Sequence, residues 1–399
     1  MIKKENHVRI IFHIDMNAYF CSVACILYPS LRGEAFAIGR ENTYKGVIST
    51  ASYEARALGI HAAMPISEAY KIKPDLKVIS IDYRYYQDYH NKFVNIIKEY
   101  SNLIEVASID ELYADMTDIS KSKHPIVLAK EIQLRLLKEL GLSCSIGIAP
   151  TLFLAKMASD IKKPLGITVI RKKDVKDILY PLSVKEIFGI GKKTYPKLIN
   201  GGINTIAEFM MPENKDKIIS IIGDNSYNYV ITHILGNSSN IIDPNRYSDS
   251  SSISTSQTYD VFLSSLSEIL YEMRRMTREL CSKMKSKDYY TKTVNITLRD
   301  DNFHTITRQD TLEEYSNDFQ NLYEVITNLV EDNYSFEKRY RLVGVGFSNI
   351  LHESELPIEY NLFTINDKDV KAENINNIIS MFQQKYGKNI IYRKKDKND

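Results

Sequence analysis

The stretch EVASIDELYAD, residues 105–115, sets two adjacent carboxylates, Asp110 and Glu111, where alternating strand residues reach a turn. Residues 104–109 predict one strand and residues 112–116 its partner. A third acid, Asp15, closes the apolar, β-branched run of residues 8–14, 95 positions earlier. One sheet brings strand ends of this kind together. Three converging carboxylates repel unless a cation holds them, and ligation by oxygen alone suits Mg²⁺. Two such ions about 4 Å apart clamp the attacking and leaving oxygens of an in-line phosphoryl transfer. Asp-Glu pairs are common in a chain with 50 acids, and a strand-end Asp often caps a helix, so the acids alone leave structural roles open.

Working outward, Asn17 is placed to cap an apolar helix over 18–27. A strand near 46–51 runs into a short helix holding Tyr53 and Arg56, and GIHAAMPISEAYK reads as a turn and then a helix with Pro65 in its first turn. Strands are expected at 77–81, 143–148 and 167–170, and helices at 83–100, 126–140 and 151–162. This alternation predicts an α/β (α+β) mixed sheet with helices packed on it. After Pro181 come short helices and glycine turns. IIDPNRYSDSSSIST, residues 241–255, is the clearest linker, and a second α/β unit and a polar tail follow it.

At 399 residues the chain is too long for one ordinary core, and its 26% charged and 44% hydrophobic residues are a globular composition. Cys21, Cys25, Cys144 and Cys281 form no CxxC pair, which points to reduced thiols and away from zinc. No run of 18 apolar residues exists, so no membrane span is expected. The net charge is only +2, but residues 156–197 hold eleven Lys/Arg against four Asp/Glu, and 274–292 hold seven against two. Two such clusters suggest a positive track for phosphates.

Tyr53 and Arg56, at i and i+3, share a helix face where a phenol and a guanidinium grip the same phosphate oxygens. Lys162 and Lys163 stand before Pro164 as point charges for a phosphate, or as lysines that complement a helix C-terminus. GIGKK, residues 189–193, has two glycines, Gly189 and Gly191, that let backbone N–H groups approach a phosphate, with Lys192 beside them.

Asp15 at a strand end, then YEAR, SIDE, SIGIAP with LAKMASDIKKPLG, and GIG, five motifs in this order over residues 8–350, resemble the Y-family, lesion-bypass DNA polymerases of the UmuC/DinB branch. The resemblance implies a right-hand polymerase: mixed-sheet palm and small fingers over 1–180 (fingers about 28–80) and a helical thumb with helix-hairpin-helix over 181–242. A linker over 243–255, a separate α/β little finger over 256–350 and a tail over 351–399 complete it. It implies template-directed, low-fidelity, low-processivity DNA synthesis, with Asp15, Asp110, Glu111 and the Met16 carbonyl on two Mg²⁺ ions that Mn²⁺ can replace. Phe20 resembles the steric gate against a ribose 2′-hydroxyl, and Thr50, Tyr53, Arg56 and Lys163 match dNTP positions. Val47 and Ser49 fall in the fingers roof. Gly189, Gly191 and Lys192, with Arg274, Arg275 and Arg278, are the expected DNA contacts.

Thr151-Leu152 departs from the family's Asn-Lys, and Asn17 stands where some members carry an acid. EYNLF, residues 359–363, resembles a sliding-clamp pentapeptide, with Glu359 for the usual Gln and Leu362 and Phe363 as anchors. The partners expected are primer-template DNA, dNTPs and the clamp, for a cytoplasmic, nucleoid-associated monomer without membrane attachment. The competing readings are a catalytically weak DNA-binding accessory factor, against which the intact carboxylates speak, and a two-metal nuclease, which needs no triphosphate set.

Overall fold

Residues 11–16, IFHIDM, are buried throughout, the pattern of a strand covered on both faces. The computed structural model describes residues 8–246 and 251–357, which divide at 249/250 into two compact units. In chain order the first unit begins β1 (Ile11–Met16), α1 (Tyr19–Leu27), β2 (Phe36–Ile38), β3 (Thr50–Ala51), α2 (Tyr53–Ala57), α3 (Ile66–Ile72) and β4 (Lys77–Ile79). It continues α4 (Tyr83–Lys98), β5 (Ile104–Val106), β6 (Glu111–Asp115), α5 (Pro125–Leu140), β7 (Cys144–Ala149), α6 (Leu152–Ile161) and β8 (Ile167–Val169). Five short helices end it: α7 (Val175–Ile178), α8 (Tyr195–Asn200), α9 (Ile206–Met210), α10 (Lys215–Ile222) and α11 (Asp224–Ile234).

The main sheet has the order β5-β6-β1-β7-β8; only the β7–β8 pair is parallel. Strand alternation splits β1. Phe12, Ile14 and Met16 join a core with α4 and α5, whereas Ile11 joins the core of α6 and the following helices. His13 and Asp15 therefore share the α6 face. That helix can approach closely because β7 carries Gly147, where an added Cβ would lie 2.0 Å from the Ala155 carbonyl and 2.4 Å from the Ser159 nitrogen. A smaller sheet, β3-β2-β4, has its own apolar core. The expected strand over 46–51 contracts to β3, because the backbone of Ile48 pairs with Met64 and Ala63 instead.

Asn17 does not cap α1. Ala18 is left-handed at the helix start and no side chain caps it; the Asn17 amide is committed elsewhere, donating to Ser145 Oγ at 2.9 Å and accepting from Leu165 N at 2.9 Å. The helix expected ahead of GIGKK is only a 3₁₀ turn, Val184–Glu186. Leu182 and Val184 exchange backbone bonds with Ile206 and Asn204, which stops a longer helix.

The second unit contains β9 (Ser252–Leu263), α12 (Leu266–Lys285), β10 (Tyr289–Asp300), β11 (Thr305–Ser316), α13 (Phe319–Glu331) and β12 (Tyr340–His352). Its antiparallel sheet runs β11-β10-β12-β9, with apolar residues of α12 and α13 against Val294, Ile296, Leu298, Val343, Val345 and Phe347. Both boundaries expected for this unit move outward. Ser252 already pairs with Ser348 and Thr255 with Val345, while β12 continues to His352 opposite Tyr289. At the other end of the expected linker, buried Glu105 accepts from Asp243 N at 2.9 Å and Arg246 Nε at 2.6 Å, so residues 243–246 belong to the first unit. The EYNLF segment, with Leu362 and Phe363, lies outside the described residues.

Candidate active site

Asp15 on β1 and Glu111 on β6 are direct cross-strand partners, so their carboxylates rise from the same sheet face and repel. The adjacent acids of the SIDE motif are explained by the turn: Glu111 begins β6, and Asp110 just before it accepts the Met16 N–H on its carbonyl at 2.9 Å. The Asp110 carboxylate takes the Ser108 hydroxyl at 2.5 Å. Burial raises its pKa, with the charges of Asp15 and Glu111 adding and the Ser108 bond opposing. His13, Asp15 and Glu111 offer ligand atoms within 4.8 Å of one another, and Asp110 is not in that group.

Two groups unassigned from sequence, Lys156 and His13, complete the centre. Lys156, on α6, sets its Nζ 2.7 Å from Glu111 Oε2, 3.0 Å from Asp15 Oδ2 and 3.6 Å from Asp160 Oδ2. Burial opposes its charge, but Asp15, Asp160 and Glu111 outweigh burial and raise its pKa. His13 is fully buried, with Nδ1 2.8 Å from Ser159 Oγ and Nε2 3.4 Å from Glu111 Oε2. Burial keeps its imidazole below the ordinary value against the pull of Glu111. For Glu111 burial works the other way, yet His13 and Lys156 prevail and hold its carboxyl well below the usual range. The strand period carried a signal for His13, two residues from Asp15 on one face of β1; for Lys156 the sequence showed only that it opens the basic segment.

The expected triphosphate residues gather beside these acids. Lys163 Nζ lies 2.8 Å from Asp15 Oδ2 and 2.8 Å from Asp160 Oδ1. Arg56 donates to Ala51 O at 2.9 Å and Thr50 Oγ1 at 3.1 Å, and its guanidinium stacks 5.1 Å from the Tyr53 ring centre. Burial raises the Tyr53 phenol, while Arg56 and Lys163 pull it back. Phe20 meets Tyr86 edge-on at 4.4 Å. Val47 and Ser49 are exposed on either side of buried Ile48. Thr151 caps α6 by accepting from Leu154 N, a role Asn also fills, and Leu152 N bonds Ser239 O through the backbone.

The presumed DNA residues fall in two places. Gly189 has φ +94°, which favours glycine, and Gly191 has open space where a side chain would be; Lys192 is exposed next to it. In the second unit Arg274 and Arg278 stack over Phe319, and Arg275 bonds Glu272 and Gln257. These arginines sit in the helix layer. The opposite face of the sheet is polar and uncharged around Thr293, Asn295, Thr297, Ser254 and Ser256, beside Gly344 and Gly346.

Residues 14–160 match the impB/mucB/samB family and residues 250–359 its C-terminal domain. DNA polymerase IV of Oceanobacillus iheyensis is 37% identical over 397 residues, 99% of this chain and 94% of that protein. DNA polymerase IV 1 of Bacillus subtilis is 37% identical over 388 residues, 96% of this chain and 92% of its own. Among solved structures, a Dbh–Dpo4 Y-family DNA polymerase chimera superposes with a TM-score of 0.75 at 25% identity, covering 86% of this chain and 99% of the chimera. DinB from Sulfolobus solfataricus gives 0.59 at 25% identity with the same coverage.

Proposed function

The chain belongs to the impB/mucB/samB family and is a translesion, DNA-directed DNA polymerase, and on that premise we propose that Asp15, Asp110 and Glu111 form its nucleotidyl-transfer centre. The observation that carries this reading is the cross-strand pair Asp15–Glu111 beside the Lys163 cation. The donor set fits hard divalent cations, since it offers carboxylate oxygens and a field that two lysines already have to balance. Two Mg²⁺ ions, with Mn²⁺ as a substitute, would be held by the three acids and the Met16 carbonyl and would supply Lewis-acid stabilisation of the phosphoryl oxygens.

The protein's own groups do the rest. Lys163 and Arg56 receive the triphosphate, the latter already oriented by Thr50, Ala51 and Tyr53. The primer 3′-hydroxyl gives up its proton to solvent as its oxygen bonds to the α-phosphorus, the bond from that phosphorus to the α,β-bridging oxygen breaks, and pyrophosphate leaves. Phe20, braced on Tyr86, excludes a 2′-hydroxyl. Val47 and Ser49 leave room over a damaged template base. Primer-template DNA is held by backbone N–H groups at Gly189 and Gly191, by Lys192, and by the second unit through Arg274, Arg275 and Arg278. Residues 248–350 carry twelve Lys/Arg against sixteen Asp/Glu, which makes that grip weak and salt-sensitive.

The protein acts as a cytoplasmic, nucleoid-associated monomer, and Leu362 and Phe363 dock it on a sliding clamp. Phe363→Ala removes clamp-stimulated synthesis and spares basal synthesis; equal loss of both contradicts the docking role. For the central reading, primer extension past a defined lesion is compared for the parent protein and Asp110→Asn. Extension lost in the variant, by at least about a hundredfold, is expected; extension equal in both refutes the assignment.

A further inference from the structure

Lys156 has no role in the reading above, yet it is the most enclosed cation at the centre. Its side chain is 11% exposed, and its Nζ is within 3.0 Å of one oxygen each of Asp15 and Glu111. The glycine on β7 lets the helix backbone settle against the strand next to Lys156, and the apolar residues of α6 hold it there. Around the ammonium the charges alternate. Glu111 is followed by Lys156, then Asp15, then Lys163, and Asp160 accepts from Lys163 at 2.8 Å while standing 3.6 Å from Lys156. Two acids directly opposite on adjacent strands would otherwise splay apart.

We propose that Lys156 is a built-in counter-ion of the metal site: its ammonium holds Asp15 and Glu111 side by side when no divalent ion is bound, and competes with that ion for their oxygens. The proposal rests on the reading of those two acids as ion ligands. Lys156 donates to Asp15 Oδ2 and Glu111 Oε2, and a small divalent ion needs carboxylate oxygens of this kind at about 2.1 Å. An ion and an ammonium crowded onto the same two oxygens repel, so binding loosens at least one lysine contact. Lys156 is thus a positioning residue. It keeps the acids arranged and lowers the site's affinity for ions, so that an ion is held firmly only when the triphosphate adds its own oxygens.

The test titrates Mn²⁺ against the full-length protein without DNA or nucleotide, reading free Mn²⁺ by electron paramagnetic resonance. Lys156→Met is expected to bind Mn²⁺ at least about tenfold more tightly than the parent, and Lys156→Arg to stay within about threefold of it. A residue that only packs α6 would leave affinity unchanged or weaken it, and either result for Lys156→Met overturns the proposal. Should Lys156→Met fail to fold, crystals of the parent protein saturated with Mn²⁺ decide: loss of the contact to Asp15 or Glu111 is expected, and retention of both with the ion bound overturns it. Asp15→Asn separates the two readings. Absence of Mn²⁺ binding in the parent and Lys156→Met alike, or binding that Asp15→Asn leaves unchanged, defeats the metal-site assignment and this proposal together; Asp15-dependent binding that Lys156→Met leaves unchanged defeats this proposal alone.

Discussion

Phe20 is half-buried between the cores of the first unit and touches Tyr86 edge-on, with Tyr19 5.7 Å away and hydrogen-bonded to the Tyr86 carbonyl. A ring fixed in this way has little freedom to move aside for a larger sugar. Phe20→Ala is therefore expected to reduce discrimination against ribonucleotides by about 10- to 200-fold, measured as the ratio of single-nucleotide insertion efficiencies for the two sugars. Unchanged selectivity would leave the ring with packing alone. His13 makes a prediction about pH. Its buried imidazole titrates below the ordinary 6.5, so between the two values the unfolded chain binds the extra proton. Stability must then fall as pH drops below about 6.5, by up to about 1.4 kcal/mol per unit. Glu111, whose folded value is depressed, adds loss only below its ordinary 4.5. Urea midpoints at pH 7.5 and 5.5 should differ less in His13→Gln than in the parent; an equal difference removes His13 from the account. Asp15, Glu111 and Lys163 were singled out by motifs in the sequence, and the fold brings Asp15 beside both of the others. Lys156 and Asp160 were not, since their meaning depends on which face of α6 meets the sheet.

At the scale of elements, α6 is the part that assembles the centre, bringing Lys156 to the acids and Ser159 to His13. Its seat on β7 depends on Gly147, and a methyl there would collide with backbone rather than with a movable side chain. Gly147→Ala is expected to destabilise the protein by about 1–3 kcal/mol and to lower activity with it, read from denaturant midpoints; a midpoint within error of the parent contradicts the close seat. Strand β1 was readable from a largely apolar, β-branched run that ends at Asp15, and α5, expected over 126–140, ends at Gly141 in a left-handed turn. The cap at Asn17 was misread because a side chain with good capping chemistry had two tertiary partners across the sheet. The strand at 46–51 was overextended for a similar reason: Val47 and Ile48 turn to residues 63–65.

Across the whole molecule, composition alone marked the change from one α/β unit to another, because a Ser-, Asn- and Pro-rich stretch separates them. It could not set the ends of that stretch. Arg246 is tied to Glu105 in the first unit and Ser252 to Ser348 in the second, and neither partner is near in sequence. The central claim is that the first unit carries one chemical centre, built where β1 and β6 place Asp15 opposite Glu111. Single-turnover incorporation on a primer-template with Mg²⁺, comparing the parent with Asp15→Asn and Glu111→Gln, tests it most directly. The expected result is one nucleotide added and one pyrophosphate released by the parent, with both variants slowed at least about a hundredfold at unchanged primer-template affinity. Incorporation by either variant at the parental rate would contradict the account.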